Sequence, residues 1–127
     1  MSVINLAAVL ATFTEPWAPR TVATINDYDV RVAKGLGDEF TRHSHPETDE
    51  LFLVLTGKLT IRMDAGDVDL EPGDLYVVPR GVDHQPVSPD GAEVLLIEPT
   101  ATVNTGDTPS EFTQRRIVLA APDQPEA

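Results

Sequence analysis

Apolar residues along this chain fall in short runs, each ended by glycine, proline or a small polar residue. Residues 50–55, 58–63, 67–70, 75–79 and 92–98 are rich in the branched and aromatic side chains that fit a pleated, half-buried surface. Between them stand Thr56-Gly57, Asp64-Ala65-Gly66, Glu71-Pro72-Gly73-Asp74 and Ser88-Pro89-Asp90-Gly91. Each supplies residues that accept a positive φ or preset a tight turn. The pattern therefore predicts strands joined by turns, with Thr56-Gly57 as a two-residue hairpin opening a meander.

Upstream, residues 22–25 and 28–33 read as a strand pair about Asn26-Asp27, and residues 4–11 as one short helix or extended arm. Residues 112–119 supply a last strand. Roughly eight to ten short antiparallel strands must hide their edges, either by closing into a barrel or by forming a double-sheet jelly roll. The fold class is all-β; periodicity does not choose between the two closures. A single domain over residues 1–120 is expected, because a chain of 127 residues forms one core. Residues 121–127 are small, polar and proline-containing, and are expected to form a flexible tail.

Charge and composition then narrow the partners. The formal net charge of -12, from 21 acidic against 9 basic residues, repels phosphate backbones and anionic lipid. Nucleic acid and membrane are not expected as partners. There is no cysteine, so a disulfide scaffold, a thiolate metal site and a cysteine nucleophile are all excluded. The first 13 residues are mildly apolar but carry no basic segment and are too short to span a bilayer. A cytoplasmic protein is the expectation.

The chain has three histidines, and two of them stand as His43-Ser44-His45 just before a predicted strand. Residues i and i+2 of an extended segment point to one face, and Pro46 biases His45 toward extended backbone. The two imidazoles therefore project side by side. Glu50 opens the next run and can add a carboxylate to the group. His84, after the Pro79-Arg80-Gly81 turn, is the remaining imidazole. His43, His45, Glu50 and His84 together suit one divalent ion, Fe, Mn, Ni or Zn, and leave about two positions open in six-coordinate geometry.

These residues carry a family resemblance. The segment from Gly37 to Gly57, with His43, His45 and Glu50 inside it, resembles the first sequence motif of the cupin superfamily. Gly73 to Ser88, with Pro79, Gly81 and His84, resembles the second, departing only at Ser88, where that motif commonly ends in Asn. Ser88 is not at a usual ligand position. What the resemblance implies is a jelly-roll barrel, a double-stranded β-helix, with the metal inside it. The flanks, Glu15-Pro16-Trp17-Ala18-Pro19 and Glu98-Pro99 with Asn104-Thr105-Gly106-Asp107, are similar to small bacterial cupins often labelled mannose-6-phosphate isomerase-like.

If Glu50 faces the metal, Phe52 and Val54 share its face while Leu51, Leu53 and Leu55 lie opposite. The second face needs cover, from a second sheet, the N-terminal segment or a partner, and a homodimer is expected. In the next strand Leu59, Ile61 and Met63 continue the apolar lumen. Arg42, Lys34 and Arg80 are the cations nearest in sequence for a phosphate, though exposed positions suit all three better. Trp17 either roofs the lumen or packs the N-terminal arm. Glu39, Thr41 and Tyr76 are candidate proton carriers. Three functions remain open: a Lewis-acid enzyme of isomerase type acting on a small oxygenated substrate, a dioxygenase, and a noncatalytic small-ligand binder.

Overall fold

The structure is a computed structural model that describes residues 3–119. It is an antiparallel β structure with one short helix, α1 (Leu6–Leu10), capped by the Asn5 side chain, which accepts from the Ala8 N–H at 2.9 Å. Seven strands follow among the described residues: β1 (Arg20–Ile25), β2 (Tyr28–Gly37), β3 (Glu50–Gly57), β4 (Leu59–Met63), β5 (Val68–Leu70), β6 (Leu75–Val78) and β7 (His84–Pro99). The main sheet runs β1-β2-β7-β3-β6, while β4 pairs with β5 and with the first part of β7. The all-β jelly-roll barrel is as expected.

Two of the predicted turns are not hairpins. Ser88-Pro89-Asp90-Gly91 lies inside the 16-residue β7, which pairs with β4 over His84–Val87, with β2 at Ser88 and again from Ala92, and with β3 from Ala92 onward. Thr56-Gly57 does not fold β4 back on β3: the two strands have no mutual ladder and instead flank successive halves of β7. Both sites are corners where a strand leaves one sheet for the other. They meet each other, since a side chain on Gly57 (φ 76) would overlap the Gly91 carbonyl. Glycine and proline at a sheet corner give the same sequence signal as at a hairpin turn, because both require an unusual φ and a bare backbone.

Residues 112–119 also differ from expectation. They form no strand; a single bridge, Thr21↔Val118, ties them to β1, with the Thr21 N–H donating to Ile117 O at 2.7 Å. The strand count is accordingly lower than predicted. The expected flexible tail, residues 121–127, lies outside the described residues.

Alternation sorts the side chains as the sequence implies. Phe52, Val54, Leu59, Ile61, Val94 and Leu96 form the lumen core with Trp17 and Phe40. Outside the barrel, Val9 and Leu10 of α1 pack on Val22 and Val32, and Leu55 joins that cluster. Leu51, Leu53, Leu95 and Ile97 remain half-buried, beside exposed Leu75 (54%) and Val77 (42%). No helix among the described residues is long and apolar enough to cross a membrane.

Candidate metal centre

His43, His45, Glu50 and His84 converge at the inner end of the lumen, where one donor atom from each lies within 4.8 Å of all the others. Two elements do this. His43 and His45 point to one side of an extended segment, and Glu50 is the first residue of β3. His84 is brought in by a two-way backbone pair: the His43 N–H donates to His84 O at 3.0 Å, and the His84 N–H to His43 O at 2.8 Å. The Gly81 N–H, donating to His45 O at 3.0 Å, fastens the turn before it. All four residues are at most 5% exposed.

The backbone also sets the ring tautomers. His43 Nδ1 lies 2.8 Å from Thr41 O, and His84 Nδ1 lies 2.9 Å from Val82 O. A carbonyl accepts only, so each Nδ1 carries the proton and each Nε2 presents a lone pair to the centre. His43 Nε2 is 3.2 Å from His45 Nε2, and His45 and His84 Nε2 lie 3.3 and 3.2 Å from Glu50 Oε1. Burial, with His84 next to it, lowers the His43 pKa to about 4, so the ring is neutral near pH 7. Burial alone would raise the Glu50 carboxyl, but the His45 and His84 rings against it outweigh burial and hold the group well below its usual range. Imidazole nitrogens and an ionised carboxylate in one pocket are the donor set of a divalent ion.

Behind the centre runs a row of acids that sequence reading missed. β2 pairs Asp29 with Glu98, and β3 sets Glu50 next to Glu98, one step before its Leu51↔Ile97 pair. Three inward carboxyls in one cross-strand row need compensation. Arg31 supplies part of it: its five N–H groups go to Asp29, Glu98, Thr100 O and Thr102 O. Arg116 adds a fork onto Asp29 at 2.7 and 3.1 Å. For Asp29, burial raises the pKa, yet hydrogen bonds from Arg116, Thr21, Thr100 and Arg31 more than reverse it and leave the carboxyl far below its normal range. Burial and the adjacent Glu50 push Glu98 well above. Glu50 has only imidazoles and Glu98 beside it, which leaves it as the carboxylate available to a cation. Asp29 and Arg31 share one face of β2, opposite Val30 and Val32.

The loop after β7 braces the two N-terminal ligands. The Asp107 N–H donates to Ser44 O at 2.9 Å, and Asp107 accepts from the Ser44 N–H and hydroxyl at 3.0 Å each. Gly106 (φ 55) lies so close that a side chain there would overlap Ser44 O.

With the geometry in place, comparison with known proteins is decisive for the family. The model of the Cupin domain family (Cupin_2) matches residues 28–100, more than half the chain and all four converging residues. The protein belongs to that family. An uncharacterized protein of Bacillus subtilis (strain 168), YdbB, is 37% identical over 82 residues, covering 64% of this cupin and 72% of the relative. A crystal structure of a cupin-2 domain protein from Shewanella frigidimarina superposes with TM-score 0.74 at 38% identity, over 76% of this chain and 94% of that one. A sugar phosphate isomerase of the cupin superfamily from Silicibacter pomeroyi gives TM-score 0.53 at 26% identity. It covers 61% of this chain, and this cupin spans only 53% of that protein.

The lumen of this cupin narrows to a cavity of about 40 Å³ lined by Trp17, Phe40, Phe52, Leu96, His43, Glu50 and Glu98, among others. Trp17 lines it and anchors the arm: its indole N–H donates to Leu36 O at 3.0 Å and its ring stacks on Phe40. Arg42, Lys34 and Arg80 are not in that lining; they pair with Asp64, Glu93 and Asp49. Thr41 serves the site through its carbonyl, while Glu39 is exposed and Tyr76 reaches Met63. Ser88 is no ligand; its hydroxyl donates to Lys58 O at 2.7 Å and holds the corner.

Proposed function

We propose that this cupin is a metal-dependent enzyme that acts on a small oxygenated organic molecule, with isomerase-type chemistry. The observation that carries the reading is the convergence of four buried donors, all within 4.8 Å, two of which, His43 and Glu50, line an apolar cavity. An ion of the Fe, Mn, Ni or Zn type held by His43, His45, Glu50 and His84 would supply Lewis acidity, polarising a carbonyl or enol oxygen of the substrate. The chain's own residues do the rest. The Thr41 and Val82 carbonyls orient two imidazoles, and Trp17, Phe40 and Phe52 exclude water from the reacting centre. The isomerase relative supports the class of reaction and not the substrate: no cation lines this cavity to meet a phosphate, and about 40 Å³ holds only about three water-sized groups.

The test is metal content, then turnover. Purified protein should carry roughly one divalent ion per chain, and His84→Ala should lose most of it. Full occupancy in that variant would refute the ligand set. Activity should survive anaerobiosis and replacement of the native ion by zinc, since polarisation needs charge and not electron transfer. Turnover that consumed dioxygen would make the protein a dioxygenase, and binding without turnover a ligand-binding cupin.

The same reading takes the protein as a homodimer. Leu51, Leu53, Leu95 and Ile97 form an incompletely covered apolar face with exposed Leu75 and Val77, and α1 reaches only the Leu55 end.

A further inference from the structure

We propose that Glu98 orients the ligand: its free carboxyl oxygen hydrogen-bonds a hydroxyl group of a small molecule seated at the histidine cluster, which makes α-hydroxy acids and related hydroxy-carbonyl compounds the preferred class. The proposal rests on the metal-centre reading above and adds a second polar contact to it. Glu98 is 1% exposed and lines the cavity together with His43 and Glu50. Its Oε1 accepts from Arg31 at 3.0 Å, whereas Oε2 is the one buried side-chain nitrogen or oxygen among the described residues without a hydrogen-bond partner. Glu50 stands alongside on the neighbouring strand, its carboxyl within hydrogen-bonding reach of the Glu98 carboxyl.

Such an orphan lowers stability, and folded proteins retain it where a ligand or water completes it. The carboxyl is held in place for that task. Arg31 has every N–H engaged, so it fixes the Glu98 plane and has no donor left for a ligand. The other polar lining residues are largely committed elsewhere. Asn104 donates to Phe112 O and accepts from the Gln114 N–H, and the Trp17 indole serves Leu36 O. Beyond the metal-site residues, the polar groups left to this otherwise apolar cavity are Glu98 and the second N–H of the Asn104 amide. A hydroxyl both donates and accepts, so it satisfies Oε2 whichever protonation state Glu98 adopts. A molecule with one oxygen for the cluster and a hydroxyl on the adjacent carbon meets both groups within a space of about 40 Å³.

Glycolate and acetate differ by that hydroxyl alone. Calorimetric titration of the zinc-loaded full chain should show glycolate binding roughly tenfold tighter than acetate, about the value of one buried hydrogen bond. Glu98→Ala should abolish the difference while keeping zinc stoichiometry and acetate affinity. Glu98→Asp, which keeps a carboxyl near Arg31 but withdraws it from the cavity, should reduce the difference too, and it stands in if the alanine variant does not fold. Equal affinity for the two probes in the unmodified protein, or a preference that survives both substitutions, overturns the proposal while leaving the metal centre intact. Failure of the unmodified protein to take up zinc overturns the metal centre and this proposal together.

Discussion

The brace between the loop after β7 and the His43-Ser44-His45 segment makes Gly106→Ala an informative change. Gly106 has φ 55, where a side chain costs about 1–2 kcal/mol. Its new methyl would also overlap the Ser44 carbonyl and lie 2.9 Å from His43 Cδ2. Backbone cannot rotate away as a side chain can, so the loop must retreat. That stretches the bond from the Asp107 N–H to Ser44 O, worth about 1 kcal/mol. The sum is about 2–3 kcal/mol, which for a chain of this length lowers Tm by roughly 10 °C. Because the retreat releases the segment that aims two imidazoles, metal affinity should fall by roughly 10–100-fold, as when groups supporting metal ligands are lost. Thermal melts with and without added zinc, together with a metal competition titration, read both effects. Gly73→Ala is the control: its φ of 89 strains a side chain likewise, but nothing lies within 4 Å, so stability should fall and metal affinity should not. Unchanged metal affinity in Gly106→Ala would refute the idea that this loop positions the ligands.

Two other outcomes follow from burial and charge. His43 has its folded pKa lowered to about 4 from 6.5, so between those values the unfolded chain binds the extra proton and the folded one does not. His43 should therefore cost the metal-free protein up to roughly 3 kcal/mol as pH falls from 6.5 toward 4, a loss that the raised Glu98 carboxyl opposes. Asp29, whose folded pKa is depressed, adds a further loss as pH drops below its unfolded value of 3.8. Stability independent of pH from 7 to 4, in chemical denaturation of the metal-free protein, would contradict this. Light scattering should report a dimer at micromolar concentration, and Val77→Lys, on the exposed apolar face, should convert it to monomer without loss of metal. A monomeric unmodified protein would remove the dimer proposal.

How much of this was legible in advance depended on how local the cause is. Alternation along 50–55 and 58–63 is a property of each strand, so the inward Glu50, Phe52, Val54, Leu59 and Ile61 followed from sequence. His43 and His45 did too, because two residues of an extended segment share a face whatever surrounds them. His84 came from count and family resemblance; its placement is a tertiary fact, fixed by the paired backbone bonds with His43 across the barrel. Thr56-Gly57 reads as a hairpin and Ser88–Gly91 as a tight turn, where the structure has sheet corners, because glycine and proline report a local backbone requirement and not the partner strand. The acid row was hidden for the same reason: Asp29, Glu98 and Glu50 are far apart in sequence, and register alone makes them neighbours. Sequence determined which side chains face the lumen and which donors were on hand; only the closed barrel decided that three carboxyls would compete for two arginines, with Glu98 left holding a free oxygen beside the metal ligands.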